Sequence, residues 1–119
     1  MTCILIEPKL WQTETGKSLR VLFFKVNAAG AQEALDISGA TSTRELRYVK
    51  PSGTNGAFPL TFVSDGSDGL AEYVLASQAD LDEQGAWTVQ GLVEGPGPPL
   101  MRWFTDKATI TVDDPLPGA

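Results

Sequence analysis

The sequence predicts an all-β fold, an immunoglobulin-like antiparallel β-sandwich of about seven strands. Three observations predict it. Short runs rich in β-branched and aromatic residues recur at intervals of roughly 10 residues, separated by clusters of Gly, Pro, Asn, Asp and Ser. Within several of these runs apolar and polar residues alternate, the two-residue period of a strand with one face in the core. Nowhere does the i, i+3, i+4 spacing of an amphipathic helix persist long enough to build one.

Taken in order, the apolar run Cys3-Ile4-Leu5-Ile6 reads as a first strand, with Cys3 a small buried hydrophobe, and Lys9 to Ser18 has no fixed placement. Leu19 to Val26 is a strand that stops at the turn signal Asn27-Ala28-Ala29-Gly30. Thr43 to Lys50 alternates, Leu46 and Tyr48 on one face and Glu45, Arg47 and Val49 on the other, before the turn-rich Pro51 to Gly56. Phe58 to Val63 makes a short strand in which Pro59, lacking an N–H, calls for a sheet edge or the strand's first residues. Ser64 to Gly69 turns the chain into Leu70 to Leu75. Only Ser77 to Gln84 could form a helical turn, with Ser77 or Asp80 as N-cap and Gly85 as its stop. Trp87, Val89, Gly91 and Val93 then share one face of a strand, opposite Thr88, Gln90, Leu92 and Glu94. The loop Gly95-Pro96-Gly97-Pro98-Pro99 leads to Leu100 to Phe104, and a last strand, Lys107 to Val112, turns Ala108, Ile110 and Val112 inward. This gives one domain over residues 1–112 and a docking or trailing tail over 113–119.

Composition narrows the function classes. At 119 residues, 42% hydrophobic and 20% charged, the chain has room for one ordinary globular core. A net charge of −6 without any Lys/Arg run repels phosphate backbones, so no nucleic-acid partner is expected. The apolar runs are too short to span a bilayer, and no membrane partner is expected. The start MTCILIEPK lacks the basic-then-apolar order of a secretory signal, which predicts synthesis in the cytoplasm and export only within a larger particle. With one cysteine there is no internal disulfide, so cohesion must come from packing.

Catalytic chemistry finds little material. The chain has no histidine, which removes the common Ser and Cys triads and the usual zinc sites. Asp80, Asp82 and Glu83 cluster on a bend where solvated carboxylates are not separated into acid and base roles. The loop Asp65-Gly66-Ser67-Asp68-Gly69 has calcium-like oxygen donors but is explained by turn preferences alone. The expectation is a protein with no enzymatic activity, no metal and no cofactor. Of the three tryptophans, Trp87 alternates with Val89 and Val93 and reads as core, whereas Trp103 beside Phe104 reads as an exposed aromatic for a protein neighbour or a glycan.

The order of four motifs carries more. Leu35-Asp36-Ile37-Ser38-Gly39-Ala40-Thr41, then Lys50-Pro51-Ser52-Gly53-Thr54, then Asp68 to Leu75, and finally Asp80-Leu81-Asp82-Glu83-Gln84-Gly85-Ala86-Trp87 resembles the immunoglobulin-like domain of tailed-phage structural proteins, including the N-terminal domain of baseplate upper proteins. The likeness spans about Leu19 to Val112. It departs from the family at Ser52, where an acidic residue is usual, and at the longer, more aromatic stretch from Gly95 to Phe104. The resemblance implies a non-enzymatic virion component of the tail, baseplate or head-tail connecting region, made in the host cytoplasm. Other virion proteins would be its partners and multiple copies or a homo-oligomer its form. Capsid decoration and a carbohydrate-binding adhesin module, with Trp103, Arg102 and Asp106 on the glycan, are the alternatives. Assembly contacts are expected at Ile4, Ile6, Met101, Trp103, Phe104, Pro115 and Leu116. In this frame the acidic bend is an inter-sheet corner: Leu81 plugs the open end of the core, the acids stay in water and Gly85 reverses the chain.

Overall fold

Two facing sheets account for all regular structure among the residues that the computed structural model describes, 2–5, 10–11, 15–77, 79–96 and 100–113. Eleven strands fall in that set: β1 (Thr2–Leu5), β2 (Leu10–Trp11), β3 (Ser18–Val26), β4 (Gln32–Ala34), β5 (Thr43–Val49), β6 (Asn55–Pro59), β7 (Thr61–Phe62), β8 (Leu70–Val74), β9 (Gly85–Gly95), β10 (Met101–Phe104) and β11 (Ala108–Asp113). The first sheet has the order β1-β3-β8-β7, with β4 also on β3; the second has β2-β11-β9-β5-β6, with β10 also on β9. All pairings are antiparallel except β2 with β11, which is parallel. The all-β sandwich read from the sequence is thus the fold, and no described residue is helical.

Alternation decides which side chains meet. Leu19, Val21 and Phe23 of β3 and Ala71 of β8 face Leu46 of β5, Phe58 of β6, Trp87, Val89 and Val93 of β9, and Ile110 and Val112 of β11, all buried in one cluster. Within it Tyr48 lies 4.7 Å from Phe58 and 5.1 Å from Trp87 between ring centres, and Phe58 stacks on Tyr73 at 5.0 Å. Each such pair adds about 0.5–1.5 kcal/mol beyond its area. Loop residues close the ends: Ile37, Ala40, Leu60, Leu75 and Leu81 are all buried. At one end Arg44 donates through Nη1 to the Ala40 carbonyl at 2.8 Å and packs its guanidinium 4.5 Å from the Phe62 ring centre.

Two local devices make the strands change partners. Along one edge of β3, β8 pairs with Ser18 to Leu22 and β4 with Phe24 to Val26. At the junction the Phe23 N–H donates to the Gly69 carbonyl at 2.8 Å, while the Phe23 carbonyl accepts from Leu35 at 3.0 Å. Gly69 takes a φ of 75° here, and a Cβ on it would stand 2.5 Å from the Phe23 carbonyl oxygen. The second device separates β10 from β11 along one edge of β9. Phe104 pairs with Leu92 and Ala108 with Val89, so three residues oppose two, a β-bulge. Buried Thr105 fixes it, its N–H donating to the Gly91 carbonyl at 3.0 Å and its Oγ1 accepting from the Gly91 N–H at 2.8 Å.

Several sequence expectations are corrected. Phe58 to Val63 is not one strand. The chain leaves the second sheet after Pro59, and Leu60 is buried at the crossing with its N–H on the Arg44 carbonyl at 2.8 Å, so β7 joins the first sheet. Pro59 does occupy an edge strand, as its missing N–H requires. Ser77 and 79–84 form turns and bends, not a helical turn, because Asp80 and Ser77 bond their own neighbourhood's amides and Leu81 turns into the core. The side chain of Cys3 and the tail beyond Asp113 lie outside the described residues.

Candidate assembly surface

Alternation along β10 sends its aromatics to opposite faces. Trp103 pairs with Val93, whose side chain is in the core, so the indole sits on the inward side of the second sheet at the open edge of the sandwich. Phe104 pairs with Leu92 and lies on the outer face. They are 39% and 38% exposed, and Leu100 just before them is 60% exposed. Trp103 and Phe104, with Lys25, Leu35 and Arg102, line an open cleft of about 470 Å³ between the sheet edges. Met101 is half-buried and packs against the core, offering less free surface than either aromatic.

Sequence alternation put Leu92 on the outer face but did not foresee its burial. Leu92 is fully buried outside the main core. Its neighbours across the ladder are Phe104 and Glu45, and two guanidiniums flank the Phe104 ring, Arg102 at 4.8 Å and Arg47 at 5.7 Å from its centre. Each arginine is oriented by an acid, Arg102 by Glu94 at 3.1 Å and Arg47 by Glu45 at 2.8 Å. The signal was available in the outward register Glu45, Arg47, Leu92, Glu94, a lone leucine among charges. Exposed pairs of this kind contribute little to stability, but they hold the aromatic in one place.

The acidic bend is not merely solvated, which corrects the sequence reading. Asp80 Oδ2 accepts from the Tyr73 hydroxyl at 2.8 Å and from the N–H groups of Ala76 and Ser77 at 2.9 and 3.1 Å. Asp82 holds Lys50 Nζ at 2.7 Å, and Glu83 accepts from the Ser52 N–H and hydroxyl at 3.1 and 2.8 Å. These bonds clip the β5–β6 turn to the corner that carries the chain from β8 to β9. Trp87 completes the corner by donating Nε1–H to the Glu83 carbonyl at 3.0 Å. Ser52 supplies both of these donors to Glu83.

The oxygen-rich turns are closed on themselves as well. Asp65 accepts from the Ser67 N–H and hydroxyl at 2.9 and 2.6 Å, and Asp36 does the same with Ser38 at 2.9 and 2.6 Å. Those hydrogen bonds hold both carboxyls below the usual carboxylate range. No described residues form a group of three or more His, Cys, Asp or Glu with metal-binding geometry.

Burial, then the bond to Asp80 and its charge, pushes the Tyr73 phenol above its ordinary value. The bond to Asp82 raises Lys50, against the opposing effect of burial. For both groups the folded state favours the protonated form, so the stabilisation is complete below the unfolded pKa, about 10 for both. It is lost as pH rises through the higher folded values. Urea unfolding followed between pH 8 and roughly 11 is expected to show a falling midpoint, with a shallower fall for Tyr73→Phe. An unchanged alkaline slope in that variant contradicts the assignment.

Of the remaining expected contacts, Ile4 lies in β1 opposite Leu22, with its side chain outside the described residues. Ile6, Pro115 and Leu116 lie outside them altogether. No described helix is long and apolar enough to cross a membrane. No protein-family model matches the chain, and no curated protein matches it.

Proposed function

We propose that the chain is a non-enzymatic structural component of a tailed-phage virion, an immunoglobulin-like module that works by protein–protein contact in the tail, baseplate or head-tail connecting region. The observation that carries the contact reading is the pair Trp103 and Phe104. Two large aromatics stand more than one-third exposed on a strand braced by the Arg102–Glu94 ion pair, with Leu35 and Lys25 across a cleft. Aromatics and arginine are the residue types on which interface energy concentrates.

The immunoglobulin-like reading is supported by strand order. β1-β3-β8-β7 facing β11-β9-β5-β6 follows the two-sheet plan of that fold, and a corner aromatic bonds back to the chain upstream, here Trp87 to Glu83. The four motifs of the phage resemblance fall at the joints of this plan: the β4–β5 loop, the β5–β6 turn, the entry to β8 and the corner into β9. A glycan platform around Trp103 is less well supported, because the Arg102 guanidinium is engaged by Glu94 and Phe104 on the other face.

Phage carrying Trp103→Ala with Phe104→Ala tests the reading. The double variant is expected to fold, with a modest loss from uncovering Leu92, and to drop at least tenfold in virion incorporation, the scale of a lost ~1.4 kcal/mol. Incorporation equal to wild type contradicts the assignment of this surface.

A further inference from the structure

The second sheet ends at β6, and no described strand pairs with its outer edge. The phase of its hydrogen bonding is fixed at both ends. Lys50 N–H donates to the Thr54 carbonyl and Leu60 N–H to the Arg44 carbonyl, each at 2.8 Å. These pairs share the register that sets Leu46 opposite Phe58 and Tyr48 opposite Gly56. Bonded pairs alternate in an antiparallel ladder, so Thr54, Gly56, Phe58 and Leu60 turn their backbone groups toward β5. Asn55, Ala57 and Pro59 turn theirs outward. The free edge therefore offers the N–H groups of Asn55 and Ala57 and the carbonyls of all three.

We infer that this edge pairs antiparallel with the same edge of a second copy, about a two-fold axis passing midway between the two Ala57 residues, joining the second sheets of the two copies into one. In that register the Ala57 residues exchange two hydrogen bonds. Each Asn55 N–H meets the Pro59 carbonyl of the other copy, so every free donor finds an acceptor. The position without a donor, Pro59, falls opposite Asn55, whose N–H needs only the carbonyl. This register is the isologous arrangement that two-fold interfaces require, and a second copy completes it with no other component.

Of the devices that keep edges apart, the strand carries one, Pro59 at its end. Charged side chains and bulges also protect an exposed edge, and Asn55-Gly56-Ala57-Phe58-Pro59 has neither. By contrast β4 carries Glu33, β10 carries Arg102, and β7 is only two residues long. Phe58 is buried inward and Ala57 presents a single methyl outward, so neither side chain stands in the way of a paired strand. The nearest facing like charges, Arg47 in each copy, would lie three strand spacings apart, about 14 Å, which exceeds the screening length of about 8 Å at physiological salt. A contact built on one strand pair is smaller than the ~1,200 Å² of a stable complex, so the dimer is weak in dilute solution and forms where copies are concentrated.

Sedimentation equilibrium of the full chain up to about 1 mM, the range in which weak complexes dissociate, tests this beside Ala57→Lys and Ala57→Pro. Wild type is expected to dimerise and both variants to associate at least tenfold more weakly. The Ala57 N–H does not serve β5, so proline removes only the outward donor. Amide exchange on the wild type is a second readout, with Asn55 and Ala57 gaining protection as concentration rises. A wild type that stays monomeric throughout overturns the inference. So does a dimer whose Asn55 and Ala57 amides remain unprotected, or one that Trp103→Ala disrupts and both Ala57 variants leave intact. None of these outcomes bears on the phage reading, which stands or falls on virion content.

Discussion

Trp87→Ala is expected to remove about 4 kcal/mol of unfolding free energy, a large fraction of the ~5–15 kcal/mol available to a domain of this size. The side chain is fully buried where both sheets and the acidic corner meet. It touches Tyr48 and Phe58 ring to ring, lies under Lys50 Nζ at 5.6 Å and donates to the Glu83 carbonyl. Deleting it opens a cavity that β9, paired on both edges, cannot collapse to fill. Trp87→Phe keeps most of the packing but loses the hydrogen bond and some volume, and is expected to cost about 1–2 kcal/mol. Urea denaturation monitored by circular dichroism separates the two. A loss below about 1 kcal/mol for the alanine variant contradicts the placement of Trp87 at the centre of the core.

The second large effect is expected from the smallest change, Gly69→Ala. The added methyl meets the Phe23 carbonyl oxygen at 2.5 Å and the Leu35 carbonyl at 3.0 Å, both of them backbone atoms bound into the junction of β3, β4 and β8. The φ of 75° adds a left-handed penalty of about 1–2 kcal/mol for any side chain. Together these predict a loss of about 3 kcal/mol or more, read in the same urea experiment. Gly30→Ala is the control, because its φ of 82° is similar but its Cβ position is open. Only the conformational part of the penalty is expected there. Equal losses at the two glycines would show that the steric argument at Gly69 is wrong.

How much of this was legible in the residues follows the range of the interactions. The inward faces of β5, β9 and β11 could be read directly, since Leu46, Trp87, Val89, Val93, Ile110 and Val112 sit at two-residue spacing and every one is buried. Pro59 announced an edge through its missing donor, and Leu81 announced a plug as a lone apolar residue among acids. The division of Phe58 to Val63 between two sheets was not legible, because local propensity fixes a strand but not its partner. Nor was the engagement of the acidic bend. Asp80 reaches Tyr73 seven residues away, but Lys50 and Asp82 are 32 residues apart and meet only once the sheets are stacked. On the candidate assembly surface the exposure of Trp103 was readable from the Pro-rich loop and the Trp-Phe pair. The cradle of arginines around Phe104 required the register of β10 and β5 on β9, which is tertiary information.

The acidic corner and the aromatic edge divide the labour of the molecule. Polar side chains near the corner are spent holding loops together, whereas the largest exposed apolar groups among the described side chains, Trp103 and Phe104, stand on one edge strand. That division suits the proposed role as a module packed into a larger particle. The proposed virion role is tested most directly by quantitative mass spectrometry of purified, infectious particles of a tailed phage whose genome encodes the chain. The account predicts the chain in a fixed copy number relative to the other structural proteins, and complete particles that lack it would contradict the account.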